Sequence, residues 1–265
     1  MRKMPLPAVL IGILALGTAS SAAAQTPDGK PKPPKKQTTL ERIDGIYATI
    51  PPVKYQPAPD RWKLLPRTIQ RLQQGPELRV VMLGDSIVND TSRSAWEKLV
   101  ERVYPKCRII KVTSVRGSTG CWWYKEEGRV KQYVLDHKPD LLMIGGISNR
   151  DDVESIREVI RQVRAAGNPP DILVMTGCFG RTDPRDDKQW KYEIDPKGDD
   201  YRAKLLRMAA DEKVEFLDVM GPWGQYIRSS GKDLDWFKRD PVHANSRGEA
   251  VLGRILLAYF SPKGR

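Results

Sequence analysis

Three side chains that together could break an ester bond stand far apart in the chain: Ser86, behind Gly84 and Asp85, and the pair Asp240 and His243. A serine hydroxyl is not ionised near neutrality, so it attacks a carbonyl only if a base of suitable pKa takes its proton. The chain holds two histidines, His137 and His243, and only these could supply that base. Asp240 precedes His243 by three residues, a spacing at which one turn brings a carboxylate onto the imidazole and fixes its tautomer.

The surrounding pattern must bring these residues together. Residues 78–83 are apolar except at Arg79 and read as a strand buried on both faces that stops at Gly84. Ser86 then falls in a strand-to-helix turn, with Asp90, Thr91 or Ser92 able to cap the next helix. Apolar runs at 109–112, 141–144, 172–175 and 214–217 alternate with helix-spaced apolar residues at 95–103, 130–135, 153–163 and 201–210, and 251–259 supplies a closing helix. Such alternation requires crossovers, which predicts an α/β fold with about five parallel strands covered on both faces. Sites in these sheets form beyond the carboxyl ends of the strands. Ser86, the glycine turns at 117–120 and 145–146, Asn149 and the Asp240–His243 pair all map to that edge, whereas His137 maps to the opposite one.

The length of 265 residues, 40% hydrophobic and 29% charged, suits one core. Residues 1–24, with Arg2, Lys3, an apolar run at 8–16 and Ala22-Ala23-Ala24, have the parts of a signal peptide, and the run is shorter than the ~20 residues that span a bilayer. Residues 25–39 read as a Pro/Lys-rich tether, 40–77 as an N-terminal brace with a helix broken near Pro66, and 78–265 as the catalytic domain. A secreted or periplasmic protein without membrane insertion after leader removal is expected. The net charge of +12 is partly carried by Arg2, Lys3, Lys30, Lys32, Lys35 and Lys36, and the remainder is not clustered with aromatics, which excludes a nucleic-acid partner. Cys107, Cys121 and Cys178 allow at most one internal disulfide. Cys121 and Cys178, both just past strands, are the expected pair, with three reduced thiols as the alternative.

Gly84-Asp85-Ser86, the glycine segment 117–120, Gly146-Ile147-Ser148-Asn149 and Asp240–His243 resemble the four sequence blocks of the SGNH, or GDSL, hydrolases, over residues 78–259. The resemblance implies a three-layer α/β/α, flavodoxin-like fold, no metal or organic cofactor, and ester hydrolysis through an acyl-enzyme. It implies Ser86 as nucleophile, His243 as base, Asp240 as its orienter, and an oxyanion hole from the Ser86 and Gly120 amides with the Asn149 side chain. The third block is one residue longer than the family's usual Gly-x-Asn-Asp and closer to the Gly-x-Ser-Asn form of some sugar acetylesterase relatives. Ser148 therefore stands as an alternative to Asn149, and Gly117 to Gly120. No Gly-x-Ser-x-Gly sequence occurs, which counts against the other large serine-esterase fold.

For the substrate, Trp122 and Trp123 follow the glycine turn and Trp236 precedes Asp240, so these rings are expected at the site mouth, where indoles stack on sugars. The long polar segment 180–198, with Arg181, Asp183, Arg185, Trp190 and Tyr192, is expected to wall the cleft. The reading is an esterase removing acetyl or other small acyl groups from an acylated carbohydrate. A lipid-directed esterase or lysophospholipase of the same fold, or an inactive carbohydrate-binding protein, are the competing readings. The pattern carries no signal for oligomeric state, sugar or linkage.

Overall fold

The computed structural model describes residues 39–178 and 180–262. The expected leader at 1–24 and the tether up to residue 38 lie outside the described residues. Five apolar segments form one parallel sheet: β1 (Glu77–Gly84), β2 (Arg108–Val115), β3 (Leu141–Ile144), β4 (Asp171–Met175) and β5 (Glu215–Leu217). Their order, β2-β1-β3-β4-β5, is the flavodoxin-like one, with β1 paired in parallel to β2 and β3. The expected α/β fold is therefore the one the chain adopts.

The first half of the described chain carries the helices α1 (Thr39–Ala48), α2 (Pro66–Gln74), α3 (Ser86–Arg93), α4 (Trp96–Val103), α5 (Cys121–Tyr124) and α6 (Arg129–Tyr133). The second half adds α7 (Val153–Arg164), α8 (Asp187–Ile194), α9 (Tyr201–Asp211), α10 (Met220–Ser230) and α11 (Ser246–Phe260). Because strand side chains alternate, Val80, Met82, Met143, Leu173 and Met175 join one core, while Val81, Leu83, Leu142, Ile144 and Val174 join another. Residues of α1, α3, α4, α10 and α11 close the first core, and those of α5, α6, α7 and α9 close the second. Three layers result, and no described helix is long and apolar enough to cross a membrane.

Two layers of core explain why the expected disulfide is not formed. All three cysteines are free and buried. Cys121 packs in the second core and Cys178 in the first, because the chain leaves β2 toward one face of the sheet and β4 toward the other. Burial pushes the Cys178 thiol up to about 12 and the Cys107 thiol to about 11.

The amino edge of the sheet is stitched to residues 60–80 by acidic side chains. Asp140 accepts from the Arg79 amide at 3.0 Å and from Arg71 at 3.3 Å. Asp171 accepts from the Thr68 amide at 2.7 Å in the first turn of α2, where Pro66 occupies the position a helix start tolerates. Glu215 is 8% exposed and accepts from the Trp62 amide at 2.8 Å, the Leu64 amide at 3.3 Å and the Tyr259 hydroxyl at 2.9 Å. His137 lies in the turn Leu135–His137 ahead of β3, at this same edge.

Candidate active site

The carboxyl end of β1 runs directly into α3, and Asp85 caps that helix by accepting from the Ile87 amide at 2.9 Å. The sequence had placed the cap at Asp90, Thr91 or Ser92; a helix starting at Ser86 already contains those residues. The second oxygen of Asp85 accepts from the Ile147 and Ser148 amides at 2.8 and 2.7 Å, tying the β1 turn to the β3 turn. That approach requires glycine at 146, where φ is +101° and a Cβ would stand 2.5 Å from Asp85 Oδ1. Asp85 was not singled out from sequence as a site residue, because its partners lie sixty residues on.

Ser86 thus stands at the first turn of α3, where the helix leaves amides without intrahelical acceptors. Its hydroxyl lies 2.8 Å from His243 Nε2. His243 Nδ1 lies 2.9 and 2.8 Å from the two oxygens of Asp240, so Nδ1 carries the proton and Nε2 is left to accept from Ser86. Asp240 also accepts from the Val242 and His243 amides, each at 2.9 Å. The Val242 amide first, then the His243 amide and ring, hold its carboxyl down at about 2, against some loss of solvent.

Two side chains fasten this loop to the body. Asp90, fully buried on α3 one turn beyond Ser86, accepts from the Ala244 amide at 3.0 Å and from Arg239 at 2.9 Å. Lys238, also buried, donates to the carbonyls of Gly180 and Pro241, joining the β4 turn to the Asp240–His243 loop. Burial lowers its pKa from the ordinary lysine value. Neither contact has a local sequence signature.

On the other side of Ser86, the buried Asn149 side chain accepts from the Cys121 amide at 2.6 Å and donates to the Tyr201 hydroxyl at 2.9 Å. Gly120 lies against it: a Cβ there would meet Asn149 Oδ1 at 2.7 Å and Asn149 Cα at 2.9 Å. Gly117 is exposed, and a Cβ on it would meet nothing within 4 Å. Ser148 gives its amide to Asp85 and its carbonyl to Trp122 Nε1 at 3.2 Å. Of the alternatives left open by the sequence, Gly120 and Asn149 are therefore the pair in mutual contact.

Residues 82–251 match the GDSL-like Lipase/Acylhydrolase family. The chain belongs to that family. Among curated protein sequences none matches. Of solved structures, a two-domain esterase (CEX) active on acetylated mannans is similar at 14% identity and a TM-score of 0.58. The match covers 74% of this chain and 52% of that one, so this GDSL-like chain spans about half the length of that esterase. A catalytic mutant of an acetylxylan esterase from Geobacillus stearothermophilus is similar at 18% identity and a TM-score of 0.54, over 70% of this chain and 95% of that one. At such identities these likenesses establish the shared fold.

In this GDSL-like chain the three tryptophans expected at the site are not equivalent. Trp122 is 43% exposed, beside Gly120, with its indole N–H held by Ser148. Trp123 has Arg129 at 3.9 Å and Arg116 at 4.8 Å from its ring and packs edge-on against Tyr124 and Tyr133. Trp236 carries Arg247 over its ring at 3.9 Å and packs on the first core. Of the three rings expected at the site mouth, Trp122 is exposed, whereas Trp123 and Trp236 are partly buried with cations over their rings. Arg181 is exposed and makes no hydrogen bond or ion pair with a described residue. Segment 180–198 is anchored by Arg185 to Asp233 at 2.6 Å and by Arg228 to Asp187 at 2.6 Å, and contains α8.

A cavity of about 610 Å³ between residues 52–61 and the end of α11 contains none of these site residues. The hydrogen-bonded Ser86, His243 and Asp240 stand apart from it, at the carboxyl edge of the sheet. Among the described residues no three His, Cys, Asp or Glu side chains converge as a metal-binding group.

Proposed function

We propose that the chain is a serine esterase that removes acetyl or similarly small acyl groups from a polysaccharide through an acyl-enzyme. The observation that carries this reading is the unbroken chain of hydrogen bonds from Asp240 through His243 to Ser86, with both ring nitrogens engaged at 2.8–2.9 Å. Ser86 Oγ attacks the acyl carbonyl carbon while His243 Nε2 takes the hydroxyl proton, and Asp240 faces the imidazolium. The carbonyl π pair moves onto oxygen, for which the Ser86 and Gly120 amides and the second N–H of Asn149 are the neutral donors in this reading. Collapse breaks the bond to the sugar oxygen, which leaves with the proton from His243. Water then repeats the sequence on the acyl-serine and releases the acid. Each donor in such a site lowers the barrier by roughly 3–4 kcal/mol.

The exposed face of Trp122 beside Gly120 supports a sugar ring next to the reacting carbonyl, and Arg181 and the anchored 180–198 segment support a polar wall. The fold shared with esterases acting on acetylated mannan and acetylxylan agrees with this substrate class. With the leader-like residues 1–24, the reading places the enzyme outside the cytoplasm, as a domain following a tether at 25–39 and a brace at 40–77.

The test is acid release from acetylated plant, algal and bacterial polysaccharides, with Ser86→Ala as control. Ser86-dependent acetate release is expected, along with a steep loss of rate on p-nitrophenyl esters as the acyl chain lengthens. A preference for long acyl chains would select the lipid-directed alternative.

A further inference from the structure

We propose that Tyr201 is a positioning residue for Asn149, so that the first turn of α9 sets the direction in which the side-chain amide donates. The kinetic consequence rests on the esterase reading above; the structural one does not. A primary amide is planar, with one acceptor oxygen and two N–H groups. The Cys121 amide, donating at 2.6 Å, identifies Oδ1 and holds that end, and Tyr201, accepting from Nδ2 at 2.9 Å, takes one N–H. With both ends of the plane held, the remaining N–H has a single direction. Such direction matters because an oxyanion donor acts only when it is aimed within about 3 Å of the developing charge.

The phenol stands on a held frame. Asp200 caps α9 by accepting from the Ala203 amide at 3.1 Å. Arg202, the residue after Tyr201, reaches Asp218 beyond β5 at 2.8 Å and the Ile194 carbonyl at 3.0 Å. Burial pushes the Tyr201 pKa above its ordinary value, against the hydrogen bond from Asn149, so the hydroxyl stays neutral.

Tyr201→Phe deletes the hydroxyl alone. In ¹⁵N-labelled full-length protein, the Asn149 side-chain amide signal, assigned by its loss in Asn149→Ala, should shift in Tyr201→Phe; an unchanged signal overturns the inference whether or not any ester is turned over. On p-nitrophenyl acetate, Tyr201→Phe should lower kcat about 3- to 10-fold with KM unchanged, the size expected from one neutral hydrogen bond. In the Asn149→Ala background the same substitution should have no further effect. An equal fall in that background would mean that the phenol acts on its own, which also overturns the inference. If the wild type shows no Ser86-dependent turnover, the esterase reading fails and the amide spectrum still decides the positioning.

Discussion

Carboxylates stand at both edges of the sheet and are used differently. At the amino edge Asp140, Asp171 and Glu215 accept from backbone amides, a phenol and an arginine, all of which keep their protons. At the carboxyl edge Asp85 and Asp90 likewise hold amides, yet Asp240 accepts from an imidazole whose far nitrogen faces a hydroxyl. Within the carboxyl edge, solvent access separates the two uses: the Asp90 side chain is 0% exposed and that of Asp240 is 40% exposed. A group that only holds backbone in place gains from burial, whereas a pair with the proton-transfer role proposed for Asp240 and His243 must reach the surface. The same chemical group is thus a fastener at both edges, and at the carboxyl edge it also orients an imidazole toward a hydroxyl.

The largest effect that tests this contrast is His243→Ala, which should lower turnover about a thousandfold or more while moving Tm by no more than about 2 °C. A matching fall in Tm would erase the distinction between the edges. Asn149→Ala lies between the two behaviours. Kinetics and melting should show a rate loss of about 10²- to 10³-fold together with about 1–3 kcal/mol of stability, because the Cys121 amide loses its buried acceptor. Next comes a pair of glycines. Gly120→Ala must displace Asn149 and should cost about 1–3 kcal/mol in denaturant unfolding, while Gly117→Ala should stay within about 0.5 kcal/mol. At the amino edge, Asp171→Ala should lower stability by about 1 kcal/mol through the lost Thr68 acceptor, with kcat/KM unchanged.

The smallest effect concerns acid. The Asp240 carboxyl is held at about 2, below the ordinary value of about 4, so its contribution to stability is present above pH ~4 and is lost as pH falls toward 2. Acid-unfolding curves of wild type and Asp240→Asn should converge over that window. Parallel curves would detach Asp240 from the amides it accepts.

The parts of the site legible in the sequence were those with a local signature. The buried strand ahead of Ser86 announced itself by its unbroken apolar run, and its residues 80–83 are fully buried. Asp240 and His243 could be paired because one turn joins them. Asp90, Lys238 and Tyr201 could not be read, since each meets the site through a contact between distant segments; Tyr201 and Asn149 are 52 residues apart. The cysteines show a further limit. Position at a strand end predicts the edge but not the face, and Cys121 and Cys178 share an edge while lying on opposite faces. The tryptophans were read from type and chain position, which carry no signal for the distant or neighbouring arginines that lie over Trp123 and Trp236.

Glu215 has a practical consequence for anyone who recombines this domain with others. Its carboxylate gathers Trp62, Leu64 and Tyr259, so the start of the described chain and its last helix meet at one side chain on the outermost strand. The stretch matching the family begins at residue 82, twenty residues downstream of Trp62. A truncation cut to residues 82–251 would strip Trp62, Leu64 and Tyr259 from Glu215, remove the first residues of β1 and sever α11 at Val251, the helix whose preceding loop carries His243. The portable cassette therefore includes Trp62 and Leu64 and the α1 residues Ile43 and Tyr47 that join the first core, and does not begin at the first strand.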